Sequence, residues 1–564
     1  MKRKLLPVLI AIALILIIGG CAAGRVLYDK YSYSKERADL NEFYDVSGEE
    51  SAIILQDEMV SEKALIRDGV CYFDLDTVHK YLNEIFYADV SEGILLYTEA
   101  DGAARAYFGE CVYYDSRETD SQENGGTDLG CTIAFEENGI VYVAADYVRL
   151  FTNYSYDVYD LHVQVYTEWG EKSTAEINKA TAVRERGGVK SPVLRELAEG
   201  EAVEVLEEMD NWSKIKTSDS IIGYVENKRL SNKTTEEETP VNDYTAPEYT
   251  SLPMGVKINM GFHSIGGAAG NSTLDAMVSE ADGINVIAPT WFSMTDSDGS
   301  IRSFGTADYV SKAHAYGLKV WGVVDNFNYS NETGTEIDVL AVLSSTSRRE
   351  KLVNAIMEAA VSLGLDGINV DFEGLSMDCG VHYVQFLREM SVQCHSNGLV
   401  LSIDNYVPFD FNDYYRLDIQ GEIADYVIIM GYDEHWHGSG EPGSVASIDY
   451  VSNGLDRTLN EVPAEKVINA LPLYTILWRT DGSTVTDEYV TMNNVSALLS
   501  RVGVESVWDE TSGQNYAEWS EGSVRYQMWI EDEKSISVKL NVMNAKDIAG
   551  AAVWRLGYGT SGVW

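Results

Sequence analysis

The C-terminal part of the chain, residues 254–564, predicts an α/β fold: a (β/α)8, or TIM, barrel. Eight short apolar runs recur along it, with helical stretches between several of them. The runs are continuously apolar, as expected of parallel strands that are buried on both faces. Strands that alternate with crossover helices over at least ~250 residues are typical of such a barrel. The runs are GVKINMGF, INVIAPTWF, LKVWGVV, GINVDFE, LVLSIDNY, DYVIIMGYD, VINALPLYT and GAAVWRL.

The length and charge of the chain limit its architecture and its partners. At 564 residues it is too long for one core, so three or more domains are expected. Hydrophobic residues make up 45% of the sequence, enough to bury several cores. The formal net charge of −47 would repel a polyphosphate, which argues against a nucleic-acid partner. An acidic surface of this kind keeps an exported protein soluble.

Residues 1–24 have the pattern of an export signal or a membrane anchor. MKRK precedes the apolar run LLPVLIAIALILIIGG, and Cys21 follows it. The stretch from Ile18 to Cys21 resembles a bacterial lipobox, which implies lipidation of Cys21, although Leu is commoner where Ile18 stands. The alternative is an uncleaved signal anchor, because the run is near the ~17-residue lower limit for a membrane span. Both alternatives predict a body tethered outside the cytoplasmic membrane.

Residues 51–165 contain two similar segments and predict an α+β module. DGVCYFDLDTVHKYL (68–82) and NGIVYVAADYVRLFT (138–152) align without gaps, and each changes from strand to helical spacing. Asp76 matches Asp146 at the junction, where both are expected to cap helices. The pattern resembles the amine-oxidase N-terminal-like stalk module of bacterial surface proteins. That resemblance implies a spacing or adhesion role without copper chemistry.

Residues 179–231 predict a small β barrel. Short β-rich pieces are separated by glycines and followed by Trp212 and a closing Gly223-Tyr224-Val225. This segment looks like a bacterial SH3-like domain, which implies binding to cell-wall peptide or glycan; a packing spacer is the alternative. Residues 232–253 lack apolar periodicity, contain three prolines and are predicted to be an acidic linker.

The cysteines follow no recognisable framework. Their irregular spacing matches neither a disulfide scaffold nor a zinc motif, so no metal is predicted. Cys111 and Cys131 flank an acidic loop and either pair or stay free.

The stretch LGLDGINVDFEGL (363–375) carries the main candidates for chemistry. Asn369, Asp371 and Glu373 share one face of a strand, and the apolar residues between them take the other face. Glu373 falls at the end of the strand, at the mouth of the barrel where active sites of this fold occur. Burying three unpaired polar groups would cost several kcal/mol, so core packing does not explain them. Asp366 is out of this register and is expected to be structural.

Two neighbouring carboxylates push their pKa values apart, so that one of them holds a proton near neutral pH. A protonated acid at the mouth can donate to a leaving oxygen, which suits cleavage of a glycosidic bond. A standard retaining enzyme also needs a carboxylate nucleophile ~5–5.5 Å away. Asp371 lies on the same strand as Glu373, where it is better placed to support Glu373 than to attack from the opposite face. The alternative nucleophile is the substrate's own N-acetyl carbonyl oxygen.

Several motifs together resemble one family. DGINVDFE resembles the D-G-x-D-x-D-x-E signature of glycoside hydrolase family 18, the chitinase-like family that uses substrate assistance. MGYD (430–433) is similar to the M-x-Y-D of its sixth strand, and GAAVWRLG matches its final strand. ALPLYTILW resembles the seventh strand, and APTWF the second.

The resemblance implies a role for each matching residue. Glu373 would be the general acid and then the base that activates water. Asp371 would orient the substrate acetamido group and stabilise an oxazolinium intermediate, and Tyr432 would hydrogen-bond the acetamido oxygen. The remaining residues expected to bind the sugar are Met430, Asp433 and Trp554, the last as a floor beneath it.

Asn369 departs from the family signature, which has aspartate there. Asn369 can hydrogen-bond Asp371 but cannot share a proton with it. Asp371 is therefore expected to lose a like-charged neighbour, which favours its ionised form. The same asparagine is common in the bacterial branch resembling spore-cortex-lytic enzymes, and this implies a peptidoglycan substrate rather than chitin.

Other polar and aromatic residues near the predicted mouth carry weaker signals. His435 and His437 follow strand six in DEHWH and are expected to line the groove or face solvent rather than bind a metal. Trp291, Tyr406 and Trp478 follow their strands and either stack against sugars or pack in the core, and Trp291 is expected to be one of the substrate-binding residues.

The predicted protein is an exported, membrane-tethered glycoside hydrolase held near the cell wall by its SH3-like domain. It would cleave β-1,4 bonds next to N-acetylglucosamine in peptidoglycan-type glycans, with retention and without a cofactor. A chitinase and an endo-N-acetylglucosaminidase on other glycans remain alternatives. So do a non-catalytic glycan-binding protein, which the intact Glu373 disfavours, and a scaffold whose N-terminal modules carry the function.

Overall fold

The computed structural model describes residues 2–117, 125–240 and 244–563. Three predicted segments lie partly outside these residues: the loop between Cys111 and Cys131 at 118–124, the linker at 241–243, and the two chain ends at residues 1 and 564. Both cysteines that flank the loop are free thiols.

The chain begins with helix α1, Lys2–Tyr31. Its stretch Pro7–Tyr31 is long and apolar enough to cross a membrane, judged by length and composition. Cys21 lies within the helix as a free, exposed cysteine. The helix therefore continues beyond the 1–24 segment expected from the sequence.

The described residues belong to two compact units. The first comprises Met1–Phe86, Ala106–Tyr113 and Gly126–Ala246, and the second Tyr87–Arg105, Tyr114–Gly125 and Pro247–Trp564. Part of the predicted 51–165 module thus belongs to the unit that contains the barrel. In the described residues, α1 is followed before residue 170 by α2 (Leu40–Tyr44), α3 (Leu75–Tyr81) and α4 (Ala145–Val148).

Twelve strands lie in the described residues before residue 170. Strands β11-β12-β1-β2-β3-β10-β9 form one sheet, and β4-β5-β6-β7-β8 form another, in these orders. The strands are β1 (Glu50–Leu55), β2 (Glu58–Arg67), β3 (Val70–Asp74), β4 (Phe86–Asp89), β5 (Ile94–Glu99), β6 (Gly102–Tyr107), β7 (Val112–Asp115), β8 (Thr127–Asp128), β9 (Ala134–Glu137), β10 (Ile140–Ala144), β11 (Ser155–Val158) and β12 (His162–Tyr166).

The two similar segments seen in the sequence are neighbours in the first sheet. Strands β3 and β10 pair antiparallel, and each leads into a helix, α3 or α4. The expectation that Asp76 and Asp146 cap these helices is wrong. Asp74 caps α3 by accepting the backbone N–H of Thr77 at 2.8 Å, and α4 has no side-chain cap. Asp76 and Asp146 lie in the first turn, where a carboxylate still interacts favourably with the helix dipole.

The small β barrel is formed by seven strands in the order β15-β14-β18-β17-β16-β13-β19. A Cβ on Gly223 would lie 2.7 Å from the carbonyl oxygen of Arg184, so the closing glycine allows two strands to approach closely. A short 3-10 helix, Asn227–Arg229, precedes the last strand. The strands are β13 (Glu171–Ile177), β14 (Thr181–Arg184), β15 (Val193–Leu197), β16 (Ala202–Glu208), β17 (Trp212–Thr217), β18 (Ile222–Glu226) and β19 (Leu230–Glu237).

The sheet of this domain extends beyond the predicted segment 179–231 at both ends. Strands β13 and β19 pair from Glu171 opposite Glu237 to Ile177 opposite Leu230. The sheet therefore begins before residue 179 and continues past residue 231 into the predicted linker. Polar strand residues with few apolar neighbours gave no periodicity from which this pairing could be predicted.

Eight parallel strands close into the predicted barrel, because the first strand pairs with both the second and the last. A short strand, β22 (Ile301–Ser303), pairs antiparallel with the end of the second barrel strand. All eight apolar runs are confirmed as barrel strands. They are β20 (Ile258–His263), β21 (Val286–Met294), β23 (Lys319–Asp325), β24 (Gly367–Asp371), β25 (Val400–Tyr406), β26 (Tyr426–Met430), β27 (Val467–Pro472) and β33 (Gly550–Trp554).

Helices surround the barrel and pack against the outward-facing side chains of its strands. The helices are α5 (Leu274–Ser279), α6 (Ala307–Ala315), α7 (Asn328–Thr333), α8 (Val339–Ser344), α9 (Thr346–Leu363), α10 (Gly380–Ser396), α11 (Leu417–Ile423), α12 (Ile448–Thr458) and α14 (Glu533–Ala545). Short 3-10 helices span Ala268–Thr273, Met377–Cys379, Asp410–Tyr415 and Ala464–Lys466.

The side chains of β24 alternate as predicted. Ile368 and Val370 belong to the large core shared with the helices, whereas Asn369 and Asp371 are buried away from it. Asp366 precedes the strand and accepts hydrogen bonds from Lys319 at 2.7 Å and from the backbone N–H of Val320 at 2.9 Å, which confirms its structural role.

Residues 87–105 attach to two barrel helices. Asp89 accepts the backbone N–H of Thr346 at 2.7 Å, and Glu92 accepts that of Ser347 at 3.2 Å, both at the start of α9. Tyr87 hydrogen-bonds His382 of α10 at 2.7 Å. Carboxylates at a helix N-terminus satisfy N–H groups that have no partner within the helix.

An antiparallel sheet is inserted between the seventh and eighth barrel strands, and the sequence analysis did not predict it. Its strand order is β29-β28-β32-β31-β30, and helix α13 (Met492–Val502) packs on it. The strands are β28 (Tyr474–Asp481), β29 (Thr484–Thr491), β30 (Val507–Asp509), β31 (Gln514–Glu521) and β32 (Val524–Ile530).

A buried ion pair links this insertion to α14. Glu531 and Lys539 are both 0% exposed and hydrogen-bonded to each other. Gln514 and Ser535 also donate to the carboxylate of Glu531, at 2.6 and 2.7 Å. Burial raises the pKa of Glu531, and the charge of Lys539 opposes that effect. The pair therefore depends on both of its members.

We expect Lys539→Met to destabilise the protein by about 3–5 kcal/mol, because Glu531 would stay buried without its cation. Urea unfolding of the full chain measures this loss. Lys534→Met, at an exposed lysine of the same helix, is the control and should cost less than about 1 kcal/mol. A loss no larger than that of the control would mean that Glu531 is stabilised by its other partners.

Candidate active site

A cleft of about 340 Å³ opens where the barrel strands end, within the size range of small-molecule sites. Side chains near or just after the carboxyl ends of barrel strands one to six and eight line it, together with Tyr474 and Tyr489 of the inserted sheet. Its polar and aromatic lining includes Thr290, Ser293, Arg302, Glu332, Asp371, Glu373, Asp404, Tyr406, Tyr432, Asp433 and Trp554.

Glu373 is held from two sides. Asn326 accepts the backbone N–H of Glu373 at 2.9 Å and donates to its carbonyl oxygen at 2.8 Å. Tyr406 donates to carboxylate Oε2 at 2.8 Å. Burial raises the pKa of Glu373, the charges of Asp433 and Asp325 act in the same direction, and the Tyr406 hydrogen bond lowers it. The net effect is a raised pKa, as an acid that works near neutral pH requires.

Asp371 is the last residue of β24 and only 8% exposed. Burial raises its pKa well above the ordinary value, and the charges of Asp404 and Glu373 reinforce the effect. Its Oδ1 has no hydrogen-bond partner among the described residues. Burying an ionised, unpartnered oxygen is costly, so Asp371 favours its protonated form.

Asp404, on the neighbouring strand β25, is a site residue that the sequence analysis missed. It is 3% exposed, and burial raises its pKa to about 8, with a further contribution from the charge of Glu373. A hydrogen bond from Asn369 Nδ2 at 3.0 Å opposes this shift. Ser402, Asp404 and Tyr406 repeat the spacing of Asn369, Asp371 and Glu373, and that repetition was the signal.

The expectations for Asn369 are corrected on both points. Asn369 donates to Ser402 at 3.1 Å and to Asp404, not to Asp371. Asp371 keeps a like-charged neighbour, which is Asp404. Residues two apart on a strand are ~7 Å apart, whereas an adjacent strand lies ~4.8 Å away. The nearest partners of a lumenal side chain therefore come from the next strand.

Asp325 adds a third aspartate at the same level of the barrel. It lies opposite Asp371 in the register of β23 and β24. Its carboxylate accepts Ser293 Oγ at 3.1 Å and the backbone N–H of Asn328 at 2.8 Å, so it also anchors α7. Burial raises its pKa. The charge of Asp325 in turn helps to raise the pKa values of Asp371 and Glu373.

The residues expected to contact the sugar surround this set. Burial raises the pKa of Tyr432 well above the ordinary value, and the charge of Asp433 adds to the effect, so its hydroxyl is a neutral donor. Asp433 accepts the Tyr474 hydroxyl at 2.6 Å. Met430 and Trp554 end strands β26 and β33 and line the cleft, and Trp554 is joined to Arg555 by a cis peptide bond.

Two tryptophans lie elsewhere, which corrects the expectation that Trp291 binds substrate. Trp291 is fully buried, and its Nε1 donates to Asn271 at 2.8 Å. Its neighbour Thr290 lines the cleft, so the alternation along β21 directs Trp291 into the helix layer. Trp478 is also fully buried, and its Nε1 donates to the carbonyl oxygen of Gly443 at 2.8 Å.

The histidines of DEHWH have protein partners. His435 Nδ1 hydrogen-bonds the carbonyl oxygen of Glu441 at 3.0 Å, and His437 Nδ1 contacts Asp487. A search of the described residues finds no group of three or more His, Cys, Asp or Glu side chains arranged to hold a metal ion.

The chemistry of the cleft follows from these environments. Glu373 can deliver a proton to an oxygen above it, and the buried Asp371 lies on the same strand with a carboxyl oxygen free to take a hydrogen bond from a ligand. Tyr432 can donate a hydrogen bond, and Trp554 offers an aromatic face to an apolar sugar face. The arrangement suits acid-catalysed cleavage of a bond to oxygen in a ring-shaped substrate.

Comparisons with known proteins give matches to two domain families. A family model described as glycosyl hydrolases family 18 matches residues 221–559, and one described as a bacterial SH3 domain matches residues 179–231. The Uncharacterized glycosylase YvbX of Bacillus subtilis is 26% identical over 291 residues, covering 50% of this chain and 83% of that protein.

Two further relatives are named for cortex or sporulation. The Cortical fragment-lytic enzyme of Bacillus anthracis is 26% identical, covering 42% of this chain and 55% of the relative. The Putative sporulation-specific glycosylase YdhD of Bacillus subtilis is 29% identical, covering 41% and 56%. The match thus spans little more than half the length of these two relatives.

The crystal structure of the Bacillus cereus spore cortex-lytic enzyme SleL superimposes with a TM-score of 0.50 at 23% identity. The match covers 56% of this chain and 74% of SleL, and it shows a common fold.

We expect Asp404→Asn to raise the melting temperature at pH 8 and to leave it unchanged at pH 4. The pKa of Asp404 is raised to about 8, so the wild-type protein loses stability as pH rises from about 4 to about 8, and asparagine does not ionise. A rise of at least ~2 °C, the shift that ~1 kcal/mol gives a domain of this size, is expected in a thermal melt.

Asp366→Asn is the control, and we expect it to change the melting temperature at pH 8 in the opposite direction. Hydrogen bonds from Lys319 and Val320 outweigh the effect of burial and lower the pKa of Asp366. That substitution should lower the melting temperature at pH 8 and lose its effect at pH values well below the ordinary aspartate pKa. If Asp404→Asn also destabilised at pH 8, Asp404 would be held ionised by its partners.

Proposed function

Because the chain belongs to the glycosyl hydrolases of family 18, we propose that its cleft cleaves β-1,4 bonds beside N-acetylglucosamine in peptidoglycan-type glycans, with retention of configuration. The chain is a glycoside hydrolase. The observation that carries the proposal is the placement of Glu373, with its raised pKa and its hydrogen bond from Tyr406, beside the buried Asp371.

The first step transfers a proton from Glu373 to the leaving glycosidic oxygen, while the bond from the anomeric carbon to that oxygen breaks. Asp371 belongs to the same strand as Glu373, so attack from the opposite face falls to the substrate's acetamido oxygen. A bond forms between this oxygen and the anomeric carbon, and the product is a positively charged oxazolinium ion.

Asp371 and Tyr432 position the acetamido group. The Tyr432 hydroxyl donates to the acetamido oxygen, and the carboxylate of Asp371 accepts its N–H. The positive charge that develops there lowers the pKa of Asp371, so Asp371 ionises during this step and its proton leaves to solvent. Asp404, whose pKa is raised to about 8, keeps its own proton near neutral pH.

The second step regenerates the enzyme. Glu373, now ionised, accepts a proton from water, whose oxygen attacks the anomeric carbon. The bond to the acetamido oxygen breaks, and Asp371 recovers its proton. Two displacements at one carbon leave its configuration unchanged.

The choice of a wall glycan rests on two supporting observations. Two relatives are named for the cortex or for sporulation, and residues 179–231 match a bacterial SH3 domain. We propose that this domain binds the wall and that the 51–165 module acts as a spacer. Helix α1, or a lipid on Cys21, would tether the body outside the cytoplasmic membrane.

We expect Glu373→Gln to lower the rate of glycan cleavage by at least 10²-fold, because glutamine cannot donate the proton. The full-length protein and the variant are incubated with purified peptidoglycan and with chitin oligosaccharides. Mass spectrometry of the products then identifies new reducing ends.

Glu358→Gln, at an exposed glutamate of α9, is the matched control and should keep the wild-type rate. New N-acetylglucosamine ends from peptidoglycan, made by wild type and control alone, would support the proposal. Cleavage of chitin alone would reject the wall substrate, and binding of both polymers without cleavage would reject catalysis.

We expect activity to fall as pH rises through the raised pKa of Glu373, because its acid form donates the proton. The Tyr406 hydrogen bond lowers that pKa, so Tyr406→Phe should move the alkaline limb of the kcat/KM profile to higher pH. The profile is measured on one soluble oligosaccharide for both proteins. If the alkaline limb stays in place or moves to lower pH, it reports the ionisation of a group other than Glu373, and Asp404 is the next candidate.

A further inference from the structure

Arg302 is the only basic side chain among the described residues that line the cleft. All other charged lining residues are acidic: Glu332, Asp371, Glu373, Asp404 and Asp433. A substrate carboxylate is repelled by each of these acidic groups that is ionised, and Arg302 is the one basic group in this described lining that attracts it. Its position therefore bears on which glycans the cleft accepts.

Arg302 is held in a defined orientation. It lies on β22, opposite Ser293 of the second barrel strand. Its guanidinium carbon is 4.4 Å from the ring centroid of Phe304 and 5.1 Å from that of Tyr329. Stacking of this kind orients the planar donor group before a ligand arrives, which reduces the entropy lost on binding.

The present partner of Arg302 satisfies only part of its guanidinium. Nη1 and Nη2 donate to the two carboxylate oxygens of Glu332 at 2.6 and 3.2 Å. The Nε atom is buried and has no acceptor among the described residues. A buried donor without an acceptor costs free energy. A carboxylate that accepted hydrogen bonds from both Nε and Nη would therefore bind Arg302 more favourably than one that contacts Nη1 and Nη2 alone.

Glu332 is the more exposed member of the pair. Its side chain is 42% exposed, against 21% for Arg302. It belongs to the six-residue helix α7, and an ion pair this open to solvent is worth at most ~1 kcal/mol. An incoming carboxylate therefore displaces Glu332 at low cost.

We propose that Arg302 recognises a carboxylate of the substrate glycan and that Glu332 holds this position until substrate binds. The pair would give the cleft a preference for acidic amino-sugar glycans over neutral ones. This inference rests on the proposed function, and it names the group on the glycan that is read. The carboxylate is either the lactyl ether of an N-acetylmuramic acid residue or a carboxylate of an attached peptide.

A purely structural ion pair makes a different prediction from a substrate-recognising one. If the ion pair only stabilised the packing of β22 on α7, replacing Arg302 or replacing Glu332 would have the same effect on substrate selectivity. If Arg302 binds the substrate and Glu332 competes for it, the two substitutions have opposite effects on selectivity. The ratio of activities on acidic and neutral substrates separates the two cases.

The test uses the full chain, Arg302→Gln, Glu332→Gln and the control Arg501→Gln, an exposed arginine of α13. The substrates are chitotetraose, a peptide-free tetrasaccharide of alternating N-acetylglucosamine and N-acetylmuramic acid, and the same tetrasaccharide with peptide stems. The readouts are the acidic-to-neutral ratio of kcat/KM and, in each protein combined with Glu373→Gln, the corresponding ratio of Kd.

Arg302→Gln should lower the preference for the acidic substrate at least tenfold, Glu332→Gln should raise it about threefold or more, and Arg501→Gln should leave it unchanged. An effect confined to the peptide-free substrate identifies the lactyl carboxylate, and one confined to the other identifies the peptide. Equal ratios in all proteins, or shifts in the same direction for both variants, overturn the inference. Absence of cleavage by wild type rejects the proposed function alone, because the Kd ratios still decide the role of Arg302.

Discussion

The crowding of carboxyl groups at the mouth of the barrel is the constraint on which the rest of the site depends. Asp325, Asp371 and Asp404 lie on three adjacent strands, and Glu373 follows the middle one. Each has a raised pKa, and burial is the largest cause in every case. A rigid, closed sheet holds them together against their repulsion, which a flexible loop could not do.

Asn369 acts on Asp404 within this group of carboxyl groups. It is a neutral residue where the family signature has aspartate, and its amide donates to Asp404, which lowers the pKa of that aspartate. An aspartate at position 369 would add another buried carboxyl group and remove that donor, unless it were itself protonated. The asparagine is therefore best explained as a neutral partner of Asp404, and its effect reaches Asp371 only through Asp404.

The site also depends on parts of the chain remote from the signature. Tyr474 of the inserted sheet donates to Asp433, and Asp325 anchors the helix that carries Glu332. Arg302 lies on β22, the short strand that pairs with the second barrel strand. The barrel thus fixes the reacting groups, while its insertions shape the walls that decide which glycan fits.

Sequence patterns alone determined the eight barrel strands, the lumenal face of β24 and the position of Glu373, because alternation and apolar runs are local properties of a strand. The family resemblance added Tyr432 and Trp554. Which residues touch was decided by the tertiary structure. Asp404 became the partner of Asn369, Tyr406 that of Glu373, and Trp291 turned into the core. These contacts join strands far apart in sequence, so their register and closure had to be known before any could be assigned.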